Sequence, residues 1–217
     1  MKCEAKLVAV TQPTVECPAS NPEDFVAFSA RVSSKRDYNK RSEDYEKLLD
    51  YCYRNKHFSV FEMANAVVEV KAPRDITRQL IRHRSFSFQE FSQRYSDDIE
   101  FTDREIRLQD QKNRQNSIES DELDHEGWAE DIDTVSRDTE HFYRWWLEQG
   151  VAKECARSIL PEGLTMSTLY VQGSLRSWIH YLEVRDDPGV SQWEHVLLAR
   201  KIKEALAPAF PKIIGGM

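Results

Sequence analysis

Residues 65–95 read NAVVEVKAPRDITRQLIRHRSFSFQEFSQRY. The first seven alternate and are rich in valine, which predicts a strand. Ala72-Pro73 then opens a helix over residues 74–84, on which Ile76, Leu80 and His83 face one way. Arg74, Arg78 and Arg82 fall at successive i, i+4 positions of that helix, a ridge that repels itself by roughly 0.2–0.5 kcal/mol per pair unless anions or carboxylates sit among them. Across residues 74–94 five arginines face Asp75 and Glu90, a balance of +3 in a chain whose net charge is -7. An anionic ligand is expected there, and the competing reading is an exposed basic loop beside an arginine-rich helix.

Outward from this stretch the chain alternates irregularly between strand and helix periods. Residues 5–11, AKLVAVT, read as a first strand. Asn21-Pro22-Glu23-Asp24 reads as a cap, an N1 proline and an acidic first turn opening a helix through FVAFSARV. Residues 42–55 repeat the pattern, with Ser42 as cap and Tyr45, Leu48, Leu49 and Cys52 as one stripe. Downstream, Trp128, Ile132, Val135, Phe142 and Trp146 fit a helix stopped by Gly150. VAKECARSIL reads as a short helix, STLYVQG as a strand with helix as the alternative, and further helices are expected over 174–185 and about 190–207. The expectation is an α+β protein, a single elaborated domain over residues 1–217 with a mixed sheet and packed helices. Residues 97–140 hold sixteen acids against five bases; within them 103–124, poor in apolar residues, is expected to be a solvated loop or an acidic insertion.

Composition narrows the function classes. At 217 residues and 40% hydrophobic content the chain can bury a core, while a mean hydropathy of -0.65 implies much solvated surface. Negative net charge repels a nucleic-acid backbone at long range, so no nucleic-acid partner is expected. No apolar run approaches the ~20 residues that span a bilayer, and MKCEAKLVAV lacks a signal-peptide core, so a cytoplasmic protein without a membrane partner is expected. Cys3, Cys17, Cys52 and Cys155 show no metal or redox spacing and read as reduced core thiols. No Gly-rich strand-to-helix turn marks a Rossmann or P-loop site. His57, His141 and His195 read as structural or surface residues, and Trp145, Trp146, Trp178 and Trp193 as core or subunit interface.

Arginine offers a rigid, permanently charged fork for phosphate, Ser92 and Tyr95 offer neutral hydrogen bonds, and Glu90 accepts from a ligand donor. The spacing adds to this. Arg82-His83-Arg84, seven residues and then Ser92 resemble the RHR-x7-S signature of the flavin-dependent thymidylate synthases. Four further blocks agree: ARVS at 30–33, VKAPRDITRQLIRHR at 70–84, ECARSILP at 154–161 and SLRSWIHYLEVRDDPGVSQWE at 174–194. The blocks span most of the chain and leave about 97–125 without a counterpart.

The resemblance implies a reaction: reductive methylation of dUMP to dTMP, with methylenetetrahydrofolate as carbon donor and NADPH as reductant through bound FAD. It also implies a homotetramer with active sites shared between subunits. By position, the flavin would be held by Ser33, Arg82, His83, Arg84, Glu90, Ser174, Arg176 and His180. The dUMP pocket would use Gln79, Arg82, Glu90, Phe91, Ser92, Gln93 and Arg94, with Arg157 at the phosphate and Arg185 at the uracil. Arg185 and Ser92 carry the catalytic expectation, Ser92 as an orienting group because no His/Asp pair is spaced to activate it. No metal is implied. The chain departs from the family where Phe61-Glu62-Met63 replaces FEH, Gln89-Glu90 replaces Asn-Glu, and Ser174 and His180 replace asparagines. A catalytically degenerate nucleotide- or flavin-binding protein and an RNA-binding module are the two other readings.

Overall fold

The computed structural model describes residues 1–32 and 45–217. The expected positions Ser33 and Ser42 lie outside the described residues. In chain order the elements are β1 (Glu4–Val10), α1 (Pro22–Ala30), α2 (Tyr45–Arg54), a 3-10 turn at Phe58–Met63, β2 (Asn65–Pro73), α3 (Arg74–Ile81) and β3 (Ser87–Glu90). There follow β4 (Leu108–Gln109), β5 (Ser117–Ile118), α4 (His125–Glu148), α5 (Lys153–Ala156), a 3-10 turn at Arg157–Ile159, β6 (Met166–Ser174), α6 (Leu175–Arg185) and α7 (Trp193–Leu206).

A four-stranded sheet in the order β1-β2-β6-β3 forms the frame. The sequence reading expects a mixed sheet, whereas all three pairings are antiparallel. The reason lies in β2. Ala66, Val68, Val70 and Ala72 are buried, while Val67, Glu69 and Lys71 between them are partly exposed. One dry face and one wetter face suit an antiparallel sheet; parallel strands are covered on both sides. In register, Val68 faces Val171 and Val70 faces Leu169 of β6. Helices α6 and α7 pack on the dry face, where Trp178, Tyr181, Leu198 and Ile202 join the strand valines in the core.

Local chemistry explains the element ends. Asn21 accepts the Asp24 backbone N–H at 2.9 Å, the expected N-cap. Gly150 takes φ +81° just after α4, a conformation that only glycine adopts without strain. Helix α3 stops at Ile81, three residues earlier than expected, because the chain must turn to run back as β3. Phe86 anchors that turn. Its ring packs on Trp178 with centroids 4.4 Å apart and lies over Gly173, where an added Cβ would meet Phe86 Cδ1 at 2.3 Å. Helix α7 starts at Trp193 because Asp187 holds residues 189–191 in a turn, accepting from Gly189 and Ser191.

Two further expectations change. Segment 103–124 forms the β4–β5 hairpin, with Leu108 opposite Ile118, and it is pinned rather than simply solvated. The side chains of Arg104 and Arg107 are 11% and 10% exposed and pair with Asp75 and Glu194. Helix α4 lies where its spacing placed it, but it buries Tyr143 against Ala156 and Leu160. Its Val135, Phe142, Trp145 and Trp146 remain exposed. Of the cysteines read as core thiols, Cys52 is buried, Cys3 and Cys17 are half-buried and Cys155 is exposed.

Candidate active site

The start of α3, the end of β3 and the turn after α5 surround a cavity of about 640 Å³ lined by Arg74, Arg78, Arg157 and the run Glu90–Gln93. Helical spacing puts Arg74 and Arg78 on one side of α3, and both arginines, like Arg94 nearby, have partners. Arg74 donates to Gln93 Oε1 at 3.0 Å, Arg78 makes a close ion pair with Glu162, and Arg94 lies 3.3 Å from Glu154. Glu90 accepts from the Ser167 hydroxyl at 2.8 Å. Phe91 extends the sheet by donating its N–H to Thr168. Ser92 Oγ accepts the Arg94 backbone N–H at 3.3 Å, a local turn bond.

A second group gathers behind the helix. Arg185, at the end of α6, donates from Nε to His83 Nε2 at 3.0 Å. The acceptor nitrogen carries no proton, so the neutral ring holds its proton on Nδ1. Burial first, then the charges of Arg185 and His180, lowers the His83 pKa from 6.5 to about 4. The ring also stands edge-on to Tyr181, centroids 5.2 Å apart. Gln79 points its amide to Gln192 and His195. Arg82, capping α3, is exposed, and its charge acts on Arg185, whose own pKa is lowered chiefly by burial.

A third group lines a cleft of about 420 Å³: Phe58, Glu62, Ser85, Arg176, Ile179 and His180. Arg176 and His180 stand one turn apart on α6, and Arg176 pairs with Glu62 at 3.0 Å. Ser174 is buried as the N-cap of α6, accepting from Ser177 N, two residues before Arg176. Arg84 is exposed in the turn after α3. Met63 opens onto a separate apolar hollow with Phe25, Phe28, Val32 and Val60.

Most of the expected site residues thus fall into three groups. Glu90, Phe91, Ser92, Gln93 and Arg157 share the first cleft, Gln79, His83 and Arg185 the buried network, and Arg176 and His180 the third. Arg157 lines the first cleft, whereas Arg185 belongs to the buried network. Sequence reasoning overlooked Gln192 and Glu194 and took His195 as merely structural; their signal was the SQWEH run at 191–195, whose residues meet Gln79 across 113 and 116 positions.

Comparison with known proteins bears on these groups. Residues 15–212 match the family model described as thymidylate synthase complementing protein. The chain is 44% identical over 213 residues to a probable flavin-dependent thymidylate synthase of Paramecium bursaria Chlorella virus 1, covering 96% of each chain. It is 40% identical over 217 residues to the flavin-dependent thymidylate synthase of Synechocystis sp., covering 99% of each. Among solved structures it resembles a UMP/dUMP methylase PolB of Streptomyces cacaoi bound with 5-Br dUMP, with a TM-score of 0.81 and 28% identity over 99% of this chain and 94% of that one. With the match to the family model running through nearly the whole chain and carrying all three residue groups, the protein belongs to the flavin-dependent thymidylate synthase family.

Proposed function

We propose that this protein is a flavoprotein methyltransferase that converts dUMP to dTMP. The carbon comes from methylenetetrahydrofolate and the reducing equivalents from NADPH, with FAD as the bound flavin. The observation that carries this reading is the meeting of Arg74, Arg78 and Arg157 with residues 90–93 around one cleft. A nucleoside monophosphate brings a dianion, and guanidinium forks match its oxygens bidentately. Glu90, steadied by Ser167, accepts from a nucleotide donor, and Ser92 orients the base or its phosphate.

Arg185 faces the uracil. Its Nε is committed to His83, which leaves the two terminal nitrogens for a ligand carbonyl. Positive charge held there stabilises negative charge that develops on the pyrimidine when C5 becomes nucleophilic. The donor set of the Arg176 cleft fits a flavin dinucleotide: arginine and imidazole for phosphates and ring heteroatoms, and Phe58 and Ile179 as apolar walls. Arg82, His83 and Arg84 extend that donor set from the turn after α3, and Ser174 sets the start of the helix that carries Arg176. FAD, when bound, supplies the hydride chemistry that these side chains cannot.

Arg157 and Arg185 belong to separate groups within one chain, and this supports sites completed between subunits of a homotetramer. The exposed Phe142, Trp145 and Trp146 of α4 give such an assembly apolar surface to cover. Among the described residues no helix is long and apolar enough to cross a membrane. Work on the nucleotide pool of the cytoplasm accords with this reading.

The test is an absorbance spectrum of purified protein supplied with FAD, then anaerobic addition of NADPH, dUMP and methylenetetrahydrofolate with an assay for dTMP. Flavin bands that bleach and recover as dTMP appears are expected. Bound flavin and dUMP without dTMP would identify a degenerate binder. No flavin, with RNA affinity falling steeply in salt, would identify the RNA-binding reading.

A further inference from the structure

A line of polar side chains runs from segment 103–124 to Gln79. Arg107 makes a close ion pair with Glu194 Oε1, both side chains being at most 10% exposed. Its remaining nitrogens are held by Ser117 Oγ at 2.9 Å and Glu105 at 3.0 Å. Glu194 Oε2 accepts from Gln192 Nε2 at 2.9 Å. Gln192 Oε1 accepts from Gln79 Nε2 at 2.7 Å. Gln79 Oε1 then lies 3.2 Å from His195 Nδ1, and His195 Nε2 lies 3.2 Å from the Tyr181 hydroxyl.

One charged group sets the direction of the whole line. A carboxylate only accepts, so Gln192 turns its nitrogen to Glu194 and its oxygen to Gln79. Gln79 must therefore give an N–H, which turns its own carbonyl to His195. His195 donates from Nδ1 and accepts from Tyr181 at Nε2. Burial, the largest influence on Glu194, pushes its pKa up, but hydrogen bonds from Arg107, its own backbone and Gln192 hold it below the ordinary value. Burial, followed by the charges of Arg185 and His83, lowers His195 to about 3, so the ring stays neutral and its two nitrogens keep distinct roles.

We infer that Arg107, Glu194 and Gln192 are positioning residues that orient the Gln79 amide, so that its second N–H is offered to an acceptor oxygen of the nucleotide. The inference rests on the reading of Gln79 as a dUMP-binding residue. The two ends of a primary amide are nearly equal in shape, so an untethered Gln79 presents donor and acceptor alike and must be ordered when ligand binds. Tethered, it is ordered beforehand, which removes that part of the loss of freedom from binding. The acidic segment thereby contributes to the site, because its Arg107 seats the carboxylate from which the order propagates.

The test measures dUMP affinity of the FAD-loaded protein for wild type, Gln79→Ala, Gln192→Met and the double variant, with thermal unfolding recorded for each. Gln192 is exposed, so Gln192→Met breaks the line without disturbing the core. Losing one orienting hydrogen bond is expected to raise the dUMP Kd about fivefold. It should raise KM while leaving kcat at saturating dUMP and flavin content unchanged. In the Gln79→Ala background, Gln192→Met should add nothing. An equal loss in both backgrounds, or wild-type affinity in Gln192→Met beside weakened Gln79→Ala, overturns the positioning role alone. Wild-type affinity in Gln79→Ala overturns the reading of Gln79 and the positioning role with it.

Discussion

His83 Nε2 accepts a hydrogen bond from Arg185 Nε at 3.0 Å, so the turn after α3 and the end of α6 meet through one neutral imidazole. Protonation of that nitrogen ends the bond and sets two cations against each other. With a folded-state value lowered from 6.5 to about 4, His83 contributes stability that is fully present above pH 6.5 and lost as pH falls toward 4. The unfolding temperature is therefore expected to drop across this window. His83→Asn, whose carbonyl can still accept from Arg185, should flatten part of the slope. A slope unchanged in that variant would assign the acid sensitivity to His195, which lies on the same limb.

Arg157 stands in the cleft with Arg74 and Arg78. Removing one charge-assisted contact to a phosphate is expected to raise the dUMP Kd about tenfold to a hundredfold in Arg157→Ala. Flavin absorbance should persist, since Arg176 and His180 line another cleft. Arg157→Lys should recover only part of the loss, because an ammonium cannot make the paired contacts of a guanidinium. Titration of both variants with dUMP decides it; wild-type affinity in Arg157→Ala removes the residue from the phosphate site.

The hydroxyl of Ser92 is bonded to the Arg94 backbone within its own turn. As an orienting group it can be lost with partial effect, so Ser92→Ala is expected to form dTMP slowly. Complete loss of turnover with dUMP affinity intact would instead make this hydroxyl the nucleophile.

Gly173→Ala tests how the RHR turn is held. The new methyl would meet the Phe86 ring, which packs on Trp178 and neighbours His83. Overfilling of this kind costs about 1–3 kcal/mol. Calorimetry should show a lowered unfolding temperature, and because the ring must shift, weaker dUMP binding should accompany it. Lowered stability with unchanged binding would separate the Phe86 packing from the placement of His83.

Much of the fold and the arginine cleft was legible because the signals were local. Valine alternation marked β2, i, i+4 spacing marked the basic side of α3, and the RHR-x7-S run placed Glu90 to Gln93 beside it. What escaped was long-range and polar. Arg104 and Arg107 carry no local signal within an acidic segment, and their partners Asp75 and Glu194 lie 29 and 87 residues away in the chain. No local pattern encodes such a pairing. The helical period of α4 was plain, but periodicity cannot say which side of a helix meets its own core, and here only Tyr143 is buried. His195 illustrates the same limit: it read as a structural residue, whereas its burial and its hydrogen bond to Gln79 required the fold.

The cleft of Arg157 and the cleft of Arg176 and His180 share no lining residue. In an assembly whose sites are completed between subunits, damage to the two clefts need not fall on the same chain. Two variants impaired at limiting dUMP and flavin, Arg157→Ala and Arg176→Ala, mixed and reassembled, should then produce some sites with both clefts intact and regain a fraction of turnover. A cell carrying one copy of each defective gene would grow without thymidine where neither copy alone suffices.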